Sequence, residues 1–177
     1  MNAAKSIVLI GMMGAGKSSV GRCLQRRTGL ARIDTDEMLA TQFGIPITEI
    51  FATHGEEKFR DAETELLRTL EPARSTIIVT GGGIVVRPEN INLLKQLGTN
   101  VWLTADEATL FERASRRNER PLLQNENPRE VFSTLFKKRE PLYAAAADIR
   151  VDTSAKSHED VAETILNRLE ESAALRK

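Results

Sequence analysis

The residues with the clearest chemical use lie near the start of the chain, where Gly11, Gly14 and Gly16 precede Lys17 and Ser18. Their spacing, G-x-x-x-x-G-K-S, is that of a phosphate-binding loop. Glycines let the backbone approach a polyphosphate without a Cβ in the way, and successive amide N–H groups then point at the anion. Lysine adds a mobile positive charge, and a serine hydroxyl can bind Mg²⁺. The pattern predicts a nucleotide polyphosphate site.

The segments on either side of this loop fit that prediction. The run 6–10 is apolar and rich in β-branched residues, which is typical of a buried parallel strand. Val20 and Leu24 share one face of a helix that we expect to end near Gly29. An ordinary glycine-rich turn is disfavoured because strand, loop and helix are in register. The dinucleotide pattern G-x-G-x-x-G fails at Ser19, which disfavours NAD and FAD.

Two aspartates, Asp34 and Asp36, alternate after a short second strand predicted over 30–34. The third strand, 76–80, has no terminal aspartate, so the second metal carboxylate that usually accompanies a phosphate-binding loop is missing there. Asp34 is the best replacement for it, and Asp36 could accept a hydrogen bond from a substrate hydroxyl. From these two residues alone, a helix cap and a solvated carboxylate explain the pair equally well.

Three consecutive glycines, Gly81, Gly82 and Gly83, follow the third strand. A turn with positive φ needs one glycine and seldom three, and each glycine costs conformational entropy on folding. Close approach of a ligand to backbone amides therefore explains the run better than a turn does.

Arginines recur in segments that should border the same edge of the sheet, namely Arg60, Arg120 and Arg139. Guanidinium forks suit planar carboxylates and phosphates. For Arg60, the alternative is a surface ion pair with Glu56 or Glu63 at helical spacing. The basic run from Arg113 to Arg120 is interleaved with glutamates and lacks aromatic residues, so it indicates a lid over nucleotide phosphates and not a nucleic-acid surface.

Composition limits the remaining functions. The 177 residues include 25 basic and 25 acidic side chains, so no net charge attracts nucleic acid or membrane. No apolar run approaches the roughly 20 residues of a membrane helix. A single cysteine, Cys23, forms no intrachain disulfide, which suits a reducing cytoplasm. We expect one cytoplasmic domain over residues 1–177.

Alternation of five strands with helices predicts an α/β fold in which a parallel sheet is covered on both faces. Residues from about 34 to 61 and from about 113 to 128 exceed what simple crossovers need. Both segments follow the carboxyl end of a strand, where open α/β sheets bind ligands. We interpret the first as a substrate-binding insertion and the second as a lid.

Together these motifs resemble the shikimate kinase family. The matching stretches span nearly the whole chain in the family's order: 11–18, D-T-D at 34–36, G-E-E-K-F-R at 55–60, T-G-G-G at 80–83, R-P-L-L at 120–123 and R-E-P-L-Y at 139–143. The resemblance implies a nucleoside-monophosphate-kinase-like P-loop fold with strand order 2-3-1-4-5. It also implies ATP-dependent phosphorylation of the 3-hydroxyl of shikimate, a step toward chorismate and the aromatic amino acids.

The resemblance assigns roles to matching positions. Asp36 would hold the reacting hydroxyl, Lys17 and Arg120 would stabilise the transferring phosphoryl group, and Ser18 and Asp34 would hold Mg²⁺, the latter through water. The expected shikimate ligands are Asp36, Arg60, Gly81, Gly82, Gly83 and Arg139. The expected ATP ligands are Gly14, Ala15, Gly16, Lys17, Ser18, Ser19, Arg113 and Arg120.

Two other functions compete with this interpretation. A gluconate or nucleotide kinase of the same fold would share the phosphate loop but not the combined motifs. A non-catalytic nucleotide switch is disfavoured because D-x-x-G and N-K-x-D are absent from the sequence. We expect a monomer whose partners are shikimate and ATP, with no nucleic-acid or membrane partner.

Overall fold

The computed structural model describes residues 6–70, 75–116 and 126–174. The strands are β1 (Ser6–Ile10), β2 (Ala31–Asp34), β3 (Thr76–Val79), β4 (Gly98–Thr104) and β5 (Ile149–Asp152). The helices are α1 (Lys17–Thr28), α2 (Thr35–Phe43), α3 (Ile47–Thr69), α4 (Pro88–Leu97), α5 (Glu107–Ser115), α6 (Pro128–Ala146) and α7 (His158–Ala174). A short 3₁₀ turn covers Ile84–Val86.

The five strands form one sheet in the order β2-β3-β1-β4-β5, with every pairing parallel. The predicted fold class and strand order are therefore confirmed. Strand β1 lies at the centre and is buried along its whole length, as its almost wholly apolar sequence predicts. Because all strands run the same way, the loops after β1, β2 and β3 meet at one edge of the sheet.

Helices cover both faces of the sheet, as predicted. Helix α1 packs against α7 and against β2 and β3, whereas α4 and α6 pack on each other and against β4. The apolar core lies between these layers, with Leu9, Val20, Leu24 and Tyr143 among its buried side chains. Of the helices in the described ranges, none is both long and apolar enough to cross a membrane.

Helices α2 and α3 form an arm with a small apolar cluster of its own, built on Leu39, Ile50 and Phe59. Helix α3 is interrupted at Gly55, where φ is 78° and ψ is 166°. Glycine adopts this left-handed φ without steric cost, so the residue type at position 55 permits the break. The break lets the second half of α3 return toward the sheet, and that half carries Arg60.

The predicted lid, from about 113 to 128, is described only at its two ends. Helix α5 ends at Ser115 and α6 begins at Pro128. Arg120 lies outside the described residues.

Candidate active site

A cleft of about 1120 Å³ opens at the carboxyl edge of the sheet, between the loop after β1, helices α2 and α3, and the triple glycine. It is lined by residues from seven separate parts of the sequence. The predicted site residues that line it are Gly14, Gly16, Lys17, Ser18, Ser19, Asp34, Asp36, Arg60, Gly81, Gly82, Gly83, Arg113 and Arg139. The predicted ligand Ala15 is instead buried in the core, and its N–H donates to Met12 O at 3.2 Å.

The phosphate loop depends on backbone conformations that favour glycine. Gly14 and Gly16 have φ of 86° and 88°. A methyl group on Gly14 would also lie 2.2 Å from the carbonyl oxygen of Leu110, so helix α5 can pack on the loop only at a glycine. Gly16 directly precedes α1, which places the amide end of that helix at the cleft.

The ammonium group of Lys17 folds back over the loop. Its Nζ donates to Gly11 O at 2.7 Å and to Met12 O at 3.1 Å. These carbonyls hold the charge at the mouth of the loop, where a polyphosphate would receive it.

Asp34 lies at the end of β2 and caps α2. One carboxylate oxygen accepts from the Asp36 N–H at 3.1 Å, and the other is 3.5 Å from Arg32 Nη1. Burial is the largest effect on this carboxyl group and raises its pKa. Asp34 and Ser18 line the same cleft, and a carboxylate and a hydroxyl are both suitable oxygen donors for Mg²⁺. The capping alternative also holds, because Asp34 does cap α2.

The carboxylate of Asp36 lies close to the first residue of the triple glycine. A methyl group on Gly81 would lie 2.5 Å from Asp36 Oδ1. Gly81 is therefore required for close approach of this carboxylate, and its N–H bonds the Thr35 hydroxyl at 3.3 Å.

Arg60 is held by contacts on several sides and is only 6% exposed. Its guanidinium bonds the buried carboxylate of Glu63 through Nη1 and that of Glu56 through Nη2, the latter at 3.0 Å. The predicted surface pair thus applies only to Glu56, which is half exposed. A methyl group on Gly83 would lie 2.2 Å from Arg60 Nη1, so the guanidinium rests directly on that glycine.

Glu63 was not among the predicted site residues. Burial, the dominant effect, raises its pKa to about 7, while the charge of Arg60 opposes the rise. Its Oε2 bonds Arg60, and its Oε1 has no hydrogen-bond partner among the described residues. The helical spacing of Glu63 and Arg60 was visible in the sequence, but the burial of Glu63 was not.

Arg139 approaches the triple glycine from α6. It is 3% exposed, and its Nη1 donates to Gly82 O at 3.3 Å. Arg60 and Arg139, the two arginines expected to bind the substrate and here called the clamp, therefore contact the same glycine turn and line the same cleft.

The far end of the cleft is built by Arg113 and His158. Arg113 donates to Thr153 Oγ1 at 3.1 Å and to the carbonyl oxygens of Thr153 and Ser154 at 3.0 Å, which joins α5 to the loop before α7. His158 begins α7, and a methyl group on Gly16 would lie 3.3 Å from its Nε2. His158 was not among the predicted site residues.

Comparisons with known proteins agree with this geometry. The shikimate kinase family model matches residues 13–170. Shikimate kinase of Thermodesulfovibrio yellowstonii is 44% identical over 94% of this chain and 95% of its own. A structure of shikimate kinase from Acinetobacter baumannii in complex with shikimate is 36% identical, with a TM-score of 0.91 over 96% of this chain and 94% of that one.

This chain belongs to the shikimate kinase family. It is therefore an ATP-using kinase that phosphorylates shikimate, and the gluconate and nucleotide alternatives are not favoured. A gluconokinase from Sinorhizobium meliloti covers 100% of the chain with a TM-score of 0.58, but at 22% identity it shares the fold alone.

Proposed function

We propose that this chain transfers the γ-phosphoryl group of ATP to the 3-hydroxyl of shikimate, and that Arg60 and Arg139 recognise the substrate carboxylate. The observation that carries the proposal is one cleft that holds both buried arginines together with Lys17 and Asp36. Gluconate also has a carboxylate, so the distinction between these acids depends on the rest of the cleft.

The phosphate loop provides the nucleotide half of the site. Amide groups of the loop and the start of α1 bind the phosphates, while Lys17 moves from the Gly11 and Met12 carbonyls to the transferring group. Mg²⁺, held by Ser18 and through water by Asp34, would neutralise phosphate charge. Arg113 and His158 enclose the far end of the cleft, and we assign this end to the adenine of ATP.

The other half positions the acceptor. Two guanidinium groups on one carboxylate fix a small acid in orientation, which brings its hydroxyl to Asp36. Asp36 accepts the hydroxyl proton as the hydroxyl oxygen bonds to the γ-phosphorus and ADP leaves. Gly81, Gly82 and Gly83 bring backbone close to the bound acid.

The lid completes the proposal. We assign Arg120, on the segment from about 113 to 128, to the transition-state charge of the phosphoryl group. Closure of this segment with both substrates present would keep water from the reaction. The insertion 34–61 and this lid belong to one catalytic domain. We further propose that the chain acts as a monomer, since residues of one chain line the cleft in the part that the structure describes. We also propose that it acts in the cytoplasm, since its single cysteine forms no intrachain disulfide.

ADP release tests the proposal. The chain is incubated with ATP and Mg²⁺ alone, with shikimate, with gluconate and with nucleoside monophosphates. Turnover that depends on shikimate, with 3-phosphorylated product found by NMR, is the expected result. Turnover with another acceptor instead would overturn the assignment of Arg60 and Arg139. ATP binding without turnover on any acceptor would support the alternative function, a non-catalytic nucleotide switch.

A further inference from the structure

Tyr143 is a buried side chain for which the proposed mechanism has no use. It ends the R-E-P-L-Y motif on α6, one helical turn after Arg139, and is 1% exposed. Its ring stacks on Trp102 with centroids 6.0 Å apart, and its hydroxyl lies 3.8 Å from Met12 Sδ. The hydroxyl donates to Gly82 O. A ring serves packing alone, so the hydroxyl at this position requires another explanation.

The hydroxyl contact fixes a peptide plane. Gly82 O accepts from both Tyr143 and Arg139, the latter at 3.3 Å. In a trans peptide the C=O and the following N–H point in opposite directions, so these two donors also set the direction of the Gly83 N–H. The preceding plane is held in the same way, because Gly81 O accepts from the Ile84 N–H at 3.3 Å.

The N–H groups whose directions are fixed in this way are available to a ligand. Gly82 and Gly83 both line the cleft, and neither N–H donates to another residue in the described ranges. Burial raises the pKa of Tyr143, so the hydroxyl stays a neutral donor throughout the physiological range. Arg139 and Tyr143 donate to the same oxygen, Gly82 O. If one of these donors is removed, we expect the other to change its orientation.

We propose that Tyr143 is a positioning residue for the acid substrate. Its hydroxyl orients the Gly82–Gly83 peptide and thereby fixes the position of Arg139, which donates to the same carbonyl oxygen. The inference rests on the proposed role of Arg139 in binding the carboxylate. Tyr143 touches no reacting atom, so it acts on binding of the acid and not on phosphoryl transfer.

Steady-state kinetics of Tyr143→Phe test the inference, because phenylalanine keeps the ring and removes only the hydroxyl. The expected result is a KM for shikimate about threefold to tenfold higher, the range that one hydrogen bond gives, with kcat and the KM for ATP unchanged. Ser6→Ala is the matched control. It removes a buried hydroxyl that accepts from the Thr76 N–H at 3.2 Å, at the opposite edge of the sheet. Thermal unfolding should show comparable destabilisation in both variants, and Ser6→Ala should keep the wild-type KM.

Arg139→Ala is measured in parallel, so that the carboxylate-binding role of Arg139 and the positioning role of Tyr143 are tested separately. An increased KM for shikimate in Arg139→Ala with wild-type KM in Tyr143→Phe would overturn the positioning role and leave the clamp intact. Wild-type KM in Arg139→Ala would overturn the clamp itself. Equal increases of the shikimate and ATP KM values in Tyr143→Phe would indicate a general structural role and contradict the inference.

Discussion

The nucleotide half and the acid half of the cleft differ in which groups form them, backbone in the first and side chains in the second. The nucleotide half consists mainly of backbone: three loop glycines with positive φ and the start of α1, together with one lysine held on loop carbonyls. The acid half consists of side chains from three separate segments around the triple glycine: the buried Arg60 on α3, the buried Arg139 on α6 and the half-buried Asp36 on α2.

This difference determines what each half tolerates. A loop of backbone amides binds any polyphosphate, and its geometry is fixed by local conformation. A cluster of buried charges works only if each charge keeps its partner, because an unpaired buried charge is costly. We therefore expect changes in the acid half to alter binding of shikimate selectively, and changes in the nucleotide half to affect turnover with every acceptor.

The largest effect is expected from Lys17→Met. The fold should survive, because the lysine head donates to carbonyls of its own loop and lies at the cleft and not in the core. Turnover should fall by at least about a thousandfold, because the phosphoryl charge loses its counter-charge. ADP release and circular dichroism measure the two effects. Activity near wild type would show that the loop has been misassigned.

Asp36→Asn should come next. An amide cannot take the hydroxyl proton, so we expect a loss of about a hundredfold to ten-thousandfold in kcat. Calorimetric titration with ATP should give the wild-type affinity. Retained kcat would move the role of proton acceptor to another residue.

Gly83→Ala tests the acid half by itself. The added methyl group would lie 2.2 Å from Arg60 Nη1 and must displace the guanidinium, so the KM for shikimate should rise about tenfold to a hundredfold while that for ATP stays constant. Gly82→Ala is the matched control, since its methyl group would meet Met13 N at 3.4 Å, close to an ordinary contact. Equal kinetics in the two variants would contradict the packing of Arg60 on Gly83.

Glu63 predicts a dependence of stability on pH. Its pKa rises from 4.5 to about 7 on folding, so the folded chain binds the extra proton between those values. The free energy of unfolding should therefore fall as the pH rises from about 4.5 to about 7, by at most about 3 kcal/mol, and then level off. Urea unfolding at pH 5 and pH 8 measures the change, which should shrink in Glu63→Gln. The exposed-site control Glu65→Gln should keep the wild-type slope, and an unchanged slope in Glu63→Gln would refute the assignment.

The smallest effect is expected from Glu56→Gln. This carboxylate is half exposed, so water screens its pair with Arg60, which keeps Glu63 as its buried partner. The KM for shikimate should rise by no more than about threefold. Glu57→Gln removes the same charge one residue away and should have no effect. A change above tenfold in Glu56→Gln would make Glu56 part of the clamp.

The sequence predicted the nucleotide half and the fold more fully than the acid half. Apolar strands, glycines at the loop and the break at Gly55 are local features, so residue type and spacing determine them. The D-T-D and triple-glycine motifs also indicated the correct edge of the sheet.

The contacts of the acid half could not be read from the sequence because they join distant segments. Glu63 looked like one of several glutamates on α3, and only its burial distinguishes it. His158 reaches Gly16 through the packing of α7 on α1, and Tyr143 reaches Gly82 through the position of α6.

The central claim is that the carboxylate is recognised by the arginines of the acid half, independently of the nucleotide. Its most direct test is to compare shikimate with its methyl ester, which removes the charge and keeps the 3-hydroxyl. We predict a KM at least about a hundredfold higher for the ester, with the KM for ATP unchanged, since two charge-assisted hydrogen-bonding partners are lost. Equal KM values for acid and ester would contradict the account.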